Sequence, residues 1–133
     1  QTAEQQNISD QVMFIGFVPM QDLPFLYNGA ELFVYPSFYE GFGLPPIEAM
    51  ACGTPTLVSD RASLPEVVGD AALSVNPEDK VSIAQAMAQI LNDEALRKRL
   101  SQAGIQRAAR FSWTKAAAQT LGVYRKMMEN SAD

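Results

Sequence analysis

Short apolar runs alternate with amphipathic stretches through the first part of the chain. Each run has four to six residues and is bounded by Gly, Pro, Asp or Asn, a pattern typical of strands. The runs interpreted as strands are residues 12–15, 31–35, 54–59 and 71–75. Helices are predicted between them, at residues 22–28, 45–52 and 63–68. Strands that alternate with helices indicate an α/β fold with a parallel sheet of about four strands.

The last third of the sequence has the period of helices instead. Apolar residues recur at helical spacing from Val81 to Leu91, and either Asn76-Pro77 or Asp79 starts this helix. Asp93 and Ser112 are predicted to cap two further helices, and Gly104 is expected to bend the first of these. The final helix has an apolar stripe that we interpret as core packing rather than as a groove for a partner: Trp113, Ala116, Ala117, Leu121 and Tyr124.

The composition is that of one globular domain spanning residues 1–133. Hydrophobic residues make up 47% of the chain, and the net charge of −5 argues against nucleic acid as a partner. Because there is no histidine, a histidine base or metal ligand is excluded within this sequence, and no metal or cofactor is expected. Cys52 is the single cysteine, so no internal disulfide forms, which fits a reducing compartment. We interpret Cys52 as a core residue.

Glu40 and Glu48 bracket a stretch rich in glycine and proline between a predicted strand and a predicted helix. Gly41 and Gly43 allow a tight turn, and the two prolines suit the first turn of a helix. Unpaired N–H groups at a helix start attract a phosphate, and a carboxylate on either side can accept hydrogen bonds from sugar hydroxyls. The stretch therefore suggests a nucleotide-sugar site. An ordinary strand-to-helix turn, with Glu48 only complementing the helix dipole, is the alternative.

The residues around this stretch resemble a known family. Residues 35–55 are similar to the E-x7-E signature of the retaining glycosyltransferases of family 4, with Glu40 and Glu48 as the two acids. The resemblance runs from about Val12 to Tyr124 in matching order. Two later segments continue it: Ser63-Leu64-Pro65-Glu66-Val67-Val68-Gly69-Asp70 and Phe111-Ser112-Trp113.

The resemblance implies a fold, an activity and roles for particular residues. The fold would be GT-B, in which two Rossmann-like domains face each other, and this chain is similar to part of the second, donor-binding domain. The activity would be transfer of a hexose from a nucleotide-diphosphate sugar, of the GDP-mannose or UDP-sugar type, to a glycan or lipid-linked acceptor with retention. Glu40 would be the catalytic carboxylate, and Glu48 would hold the ribose. The remaining donor-binding residues implied are Phe17, Val18, Gly41, Phe42, Gly43 and Leu44. Plain strand packing is the alternative for Phe17 and Val18.

Family members have two further strand–helix units and an acceptor-binding N-terminal domain that have no counterpart in this sequence. In the family's sheet order, those two strands lie between the strands like residues 12–15 and 31–35. The first strand would then have no neighbour unless the sheet closes up or another chain fills the gap, and we expect a homodimer formed through this exposed edge. We expect a fragment or truncated homologue, nearly inactive alone, from a cytoplasmic enzyme peripheral to the inner membrane. A non-catalytic binding or assembly module with the same fold is the alternative.

Overall fold

The computed structural model describes residues 2–130, and their order of elements confirms the α/β fold and the helical last third. The strands are β1 (Phe33–Tyr35), β2 (Thr56–Ser59) and β3 (Leu73–Val75). The helices are α1 (Thr2–Gln5), α2 (Leu23–Gly29), α3 (Leu44–Ala51), α4 (Leu64–Val68), α5 (Lys80–Asn92), α6 (Glu94–Ala108) and α7 (Trp113–Asn130).

The three strands form one parallel sheet in chain order, with β2 in the middle. Phe33 pairs with Thr56 across the first ladder, and Leu57 pairs with Leu73 across the second. Parallel strands require a crossover between them, which α3 and α4 supply. The carboxyl ends of all three strands therefore lie along one edge of the sheet, where loops before α3 and α4 begin.

Neighbouring residues of β2 point to opposite faces of the sheet and belong to two separate cores. Val58 packs on one face with a cluster that includes Met50 of α3 and Leu64 at the start of α4. Leu57 packs on the other face with a cluster that includes Ile90 of α5 and Leu100 of α6. Because all four residues of β2 are buried, this strand fixes the position of the loops that leave its carboxyl end.

Gly104 packs against a neighbouring helix, and α6 continues through it without a break. A Cβ atom at Gly104 would lie 3.2 Å from Met50 Cγ and 3.5 Å from Met50 Cα. The missing side chain therefore lets α6 lie close against α3. The structure assigns Gly104 this packing role in place of the predicted bend.

Residues 12–15 form no strand, so the prediction of about four strands is wrong by one. Met13 and Phe14 are 83% and 88% exposed. A strand needs a neighbour for its N–H and C=O groups, and this segment has no such neighbour among residues 2–130. β1 pairs only with β2, so its other edge has no neighbouring strand within the part of the chain that the structure describes. Dimerisation through that edge stays a prediction.

The apolar stripe of α7 is exposed, so the prediction that it packs in the core is wrong for the described residues. Trp113 is 81% exposed and Tyr124 is 61% exposed. Ala116 and Ala117 are also exposed, as is Leu121. An amphipathic helix keeps its period whether or not its apolar face finds a partner, so the pattern alone could not decide its burial.

Candidate functional site

The loop between β1 and α3 carries Glu40 and ends at a left-handed glycine, and Glu48 follows within α3. Gly43 caps α3 with φ +96° and ψ 58°, and the helix has proline within its first two positions. A Cβ atom at Gly43 would lie 2.6 Å from Leu64 Cδ2, which only a glycine avoids. The predicted glycine turn and proline helix start are therefore confirmed at Gly43.

Two serine hydroxyls from the neighbouring β2 and α4 region hold this loop. Ser63 Oγ lies 3.0 Å from the carbonyl oxygen of Glu40 and 3.1 Å from that of Phe42. Ser59 Oγ donates to the carbonyl oxygen of Ser37 at 2.6 Å. Ser59 is buried at the end of the central strand, so the loop is tied to the fully buried strand of the sheet.

Three backbone amides at the mouth of α3 remain free. Within residues 2–130, no hydrogen-bond acceptor pairs with the N–H groups of Phe42, Gly43 and Leu44. Phe42 and Leu44 are 45% and 44% exposed and flank the buried Gly43, so solvent reaches this end of the helix on both sides of the glycine. Unpaired amides and the helix dipole together favour an anion at this place.

The ring of Phe42 is held from the other side of the loop. It makes an edge contact with Phe111, with ring centroids 5.8 Å apart. The guanidinium of Arg107 lies 5.4 Å from the centroid of Phe111, and Arg107 Nε donates to the carbonyl oxygen of Val67 at 2.8 Å. The Phe111-Ser112-Trp113 segment thus supports the signature loop through Phe42.

Glu40 accepts two hydroxyl hydrogen bonds on one carboxylate oxygen. Tyr35 Oη lies 2.7 Å and Ser37 Oγ lies 2.8 Å from Glu40 Oε1. The Tyr35 hydroxyl first, and then the Ser37 hydroxyl, hold the pKa of Glu40 below its usual value. The same bond to Glu40, with burial adding to it, raises the pKa of Tyr35 to about 12. Glu40 is therefore an ionised acceptor at neutral pH.

Glu48 lies on an exposed face of α3, about one turn into the helix as predicted. Tyr27 Oη donates to Glu48 Oε2 at 3.1 Å. Burial first, and then the negative charge of Glu48, raise the pKa of Tyr27 to about 12. The carbonyl oxygen of Tyr27 accepts a hydrogen bond from Thr54 Oγ1 at 2.6 Å, which fixes the end of α2 against the turn after α3.

Phe17 and Val18 lie in the irregular segment before α2. Phe17 is 90% exposed, whereas Val18 is half-buried. Both line a shallow apolar groove that Tyr27 and Phe33 also line. The structure thus brings these two residues beside Tyr27, the partner of Glu48.

The structure revises two expectations, for Gly41 and Cys52, and it shows the partners of Arg61. Gly41 has open space around it and no left-handed φ angle, so only Gly43 requires glycine in this turn. Cys52 is half-buried at the end of α3, not enclosed in the core. Arg61, the cation nearest the site in sequence, is held by its neighbours: its guanidinium lies 3.3 Å from Asp60 and 3.2 Å from Glu78.

Sequence reasoning missed the side chains that hold the two acids. The sequence pattern places Tyr35 only at the end of a predicted strand and Ser63 only at the start of a predicted helix. Tyr27 lies 21 positions before Glu48, so no local spacing connects the two. The signal that could have revealed Tyr35 is its position at the carboxyl end of a strand, just ahead of the acid.

Neither a metal cluster nor a membrane span is found in the described part of the chain. Among residues 2–130, no three His, Cys, Asp or Glu side chains converge as metal ligands would. No helix in the same range is both long enough and apolar enough to cross a bilayer.

Known proteins resemble this chain over most of its length. A family model described as "Glycosyl transferases group 1" matches residues 1–107. The chain is 47% identical over 114 residues to O-antigen chain mannosyltransferase B of Escherichia coli, covering 86% of this chain and 30% of that protein. It is 41% identical over 132 residues to the serotype-specific mannosyltransferase WbdA of Escherichia coli, covering 98% of this chain and 16% of WbdA.

A solved structure has the same fold. Sucrose-phosphate synthase from Thermosynechococcus elongatus superposes with a TM-score of 0.88 at 36% identity, over 97% of this chain and 33% of that one. This chain thus spans about 30% of the length of the first mannosyltransferase it matches. The family match, the relatives and the fold agree, and the chain belongs to the group 1 glycosyl transferases.

Proposed function

We propose that the chain is the donor-binding part of a retaining hexosyltransferase of family 4, which takes its sugar from a nucleoside-diphosphate donor. The observation that carries this proposal is the group of three free amides at the mouth of α3, with half-buried Glu40 before it and exposed Glu48 after it. A diphosphate needs donors for its oxygens, and a sugar on each side of it needs acceptors for its hydroxyls.

In this proposal each group contacts a different part of the donor. The amides of Phe42, Gly43 and Leu44 donate to the diphosphate and the sugar next to it. Glu48 accepts from the ribose hydroxyls. Glu40 accepts from the transferred sugar near its reacting carbon, and the backbone at 17–18 borders the base.

The chemistry follows from where charge develops. The bond between the anomeric carbon and the diphosphate oxygen breaks, a bond to the acceptor oxygen forms on the same face of the sugar, and the proton of the acceptor hydroxyl passes to the leaving diphosphate. Negative charge grows on the leaving diphosphate in the transition state. The three amides would donate hydrogen bonds to its oxygens, so they would stabilise the transition state more than they stabilise the bound donor. In this proposal the ionised Glu40 faces the sugar ring, where positive charge grows in the transition state, and stabilises that charge.

The names of the similar proteins favour mannose as the transferred sugar. Both Escherichia coli relatives reported above are mannosyltransferases, and one of them acts on an O-antigen chain by its name. We therefore place GDP-mannose ahead of UDP-sugars as the donor and a glycan as the acceptor. The acceptor would bind to a separate N-terminal domain in a full protein that works in the cytoplasm, peripheral to the inner membrane. The isolated chain would bind the donor but transfer little.

Calorimetric titration of the 133-residue chain with GDP, UDP and GDP-mannose tests this proposal. Glu48→Ala is expected to weaken binding about tenfold or more, the usual effect of losing a hydrogen bond to a charged group. Glu40→Ala is expected to weaken GDP-mannose while leaving GDP unchanged. Glu31→Ala is the matched control, because this exposed acid lies at the opposite end of β1.

The result that would contradict the proposal is the absence of nucleotide binding. A folded chain that binds none of these nucleotides, at concentrations up to the limit of the method, would contradict the proposal. The non-catalytic binding or assembly module would then be the better interpretation of the fold.

A further inference from the structure

Three aromatic rings form a continuous row between the two acids of the signature. The rings of Tyr27 and Phe33 meet edge to face with centroids 5.4 Å apart, and those of Phe33 and Tyr35 stack at 5.9 Å. Phe33 and Tyr35 are two positions apart on β1, so both side chains project from the same face of the sheet. We refer to Tyr27, Phe33 and Tyr35 as the aromatic row.

Each end of the aromatic row carries a hydroxyl that donates to one acid. Tyr27 donates to Glu48 Oε2 at 3.1 Å, and Tyr35 donates to Glu40 Oε1 at 2.7 Å. Ser37 adds a second donor to the same oxygen of Glu40. In the described residues, the other oxygens, Glu48 Oε1 and Glu40 Oε2, have no protein donor.

An acid arranged in this way is oriented before any ligand arrives. A free glutamate has several rotamers and loses that freedom when a sugar hydroxyl binds. A carboxylate with one oxygen already bonded to a packed tyrosine keeps its second oxygen pointing in a fixed direction. The stacked rings immobilise the hydroxyls because aromatic side chains have few rotatable bonds and these pack edge to face and face to face.

We propose that Tyr27 and Tyr35 are positioning residues, which fix Glu48 and Glu40 so that one oxygen of each is presented to a sugar hydroxyl. Phe33 sets the separation of the two tyrosines. The inference rests on the proposed function for the identity of the ligand, while the orientation of the acids can be measured without one. It gives the aromatic row a role beyond packing the edge of the sheet.

The two tyrosines have separable effects on the ligand. Tyr27→Phe keeps the ring and removes only the donor to Glu48, so affinity for GDP or UDP should fall about three- to tenfold. Tyr35→Phe should leave the affinity for the free nucleotide unchanged, because Glu40 is assigned to the transferred hexose, which GDP and UDP do not contain. Tyr35→Phe should instead weaken binding of GDP-mannose relative to GDP. A loss of packing alone would not divide the two ligands in this way.

A second measurement needs no ligand. Carbon-detected NMR of glutamate carboxyl groups in the 133-residue chain should show the pKa of Glu40 rising towards its usual value in Tyr35→Phe. The donors that lower this pKa are Tyr35 and Ser37, and within residues 2–130 Glu40 has no ion pair. Glu48→Gln should likewise lower the pKa of Tyr27 from about 12, because the charge of Glu48 contributes to the shift.

Tyr39→Phe is the matched control, because Tyr39 lies next to Glu40 in sequence but is 80% exposed. It should change neither the nucleotide affinity nor the titration of Glu40. An unchanged titration of Glu40 in Tyr35→Phe, or an unchanged GDP affinity in Tyr27→Phe where Glu48→Ala does reduce it, would overturn the inference. If the unaltered chain binds no nucleotide, the proposed function fails, whereas the NMR titrations still decide whether the tyrosines hold the acids.

Discussion

Leu64 fills the space beside Gly43, so that a Cβ atom at this glycine would lie 2.6 Å from Leu64 Cδ2. Leu64 is fully buried and is the first residue of α4, so it has little room to withdraw. The contact joins the start of α3 to the start of α4 at the carboxyl edge of the sheet. The shape of the amide cradle therefore depends on a glycine at this position and on the helix beside it.

Gly43→Ala is expected to destabilise the fold by about 1–3 kcal/mol, because alanine must adopt a left-handed conformation and displace Leu64. Urea unfolding followed by circular dichroism measures the change. Gly41→Ala is the matched control, two positions earlier in the same loop, with open space and no left-handed φ angle. Equal losses in the two variants would contradict the role assigned to Gly43.

Gly104→Ala sets helix propensity against packing. Alanine inside a helix is favoured by about 1 kcal/mol over glycine. Against this, the new Cβ would lie 3.2 Å from Met50 Cγ, and Met50 is fully buried. We expect the packing cost to prevail and the unfolding free energy to fall by about 1 kcal/mol.

Gly122→Ala in α7 is the control for this result, because a Cβ atom there meets open space. This variant should increase the helical circular dichroism signal without lowering the urea midpoint. A stabilised Gly104→Ala variant would show that α6 and α3 can separate without cost, contrary to the close packing described.

Elements with a local signal were predicted well. Asp79 accepts hydrogen bonds from the amides of Val81 and Ser82, as a helix start at that position requires. Asp93 and Ser112 cap their helices through amides three residues later, at 2.9 Å and 3.1 Å. A cap depends only on the next turn of chain, so a few residues contain all the information that it needs.

Elements that depend on distant partners were predicted badly. Residues 12–15 have the composition of a buried strand, but no strand among residues 2–130 lies beside them. The stripe on α7 has the period of a packed helix, and its Trp113 is nevertheless 81% exposed. In both cases the sequence records a tendency to be buried, while burial itself requires another surface.

The residues of the candidate site also fall into two groups, those with a local sequence signal and those that depend on tertiary packing. Glu40, Gly43 and Glu48 were found from a motif, because they lie within one continuous stretch of sequence. Tyr27 was not found, since it reaches Glu48 only after α2 has packed beside α3. The side chains that hold an acid are set by the tertiary structure and follow no fixed spacing.

The bond between Tyr35 and Glu40 predicts a dependence of stability on pH with two limits. The pKa of Glu40 is lowered in the folded chain, so its contribution is present above the unfolded pKa and is lost as pH falls through the folded one. The pKa of Tyr35 is raised from 10.0 to about 12, so its contribution is complete below 10.0 and is lost as pH rises through about 12.

Tyr35→Phe should therefore differ most from the unaltered chain at neutral pH, and the difference should shrink in acid and in strong alkali. Urea unfolding at acidic, neutral and strongly alkaline pH measures this. Ser37→Ala is the control, because within residues 2–130 the Ser37 hydroxyl contacts Glu40 and the carbonyl oxygen of Tyr39 but no tyrosine hydroxyl, so it should affect only the acidic limit. A difference between the unaltered chain and Tyr35→Phe that does not vary with pH would mean that this hydroxyl only fills space.

Self-association is the last prediction, and it follows from the unpaired edge of β1 in the described structure. The apolar segment before α2 is unpaired as well, with Phe14 88% exposed. An open strand edge and exposed apolar side chains both favour pairing with a second copy. We expect size-exclusion chromatography with light scattering to show a dimer whose fraction rises with protein concentration.

Phe14→Lys should lower the fraction of dimer, because it places a charge in the apolar segment before α2. Met128→Lys is the matched control on the other apolar surface, since Met128 is 74% exposed on α7. If Met128→Lys dissociates the dimer and Phe14→Lys does not, then α7 forms the dimer interface instead of the segment before α2. A monomer at high concentration would contradict self-association. The apolar residues at 12–15 would then remain exposed to solvent in the isolated chain.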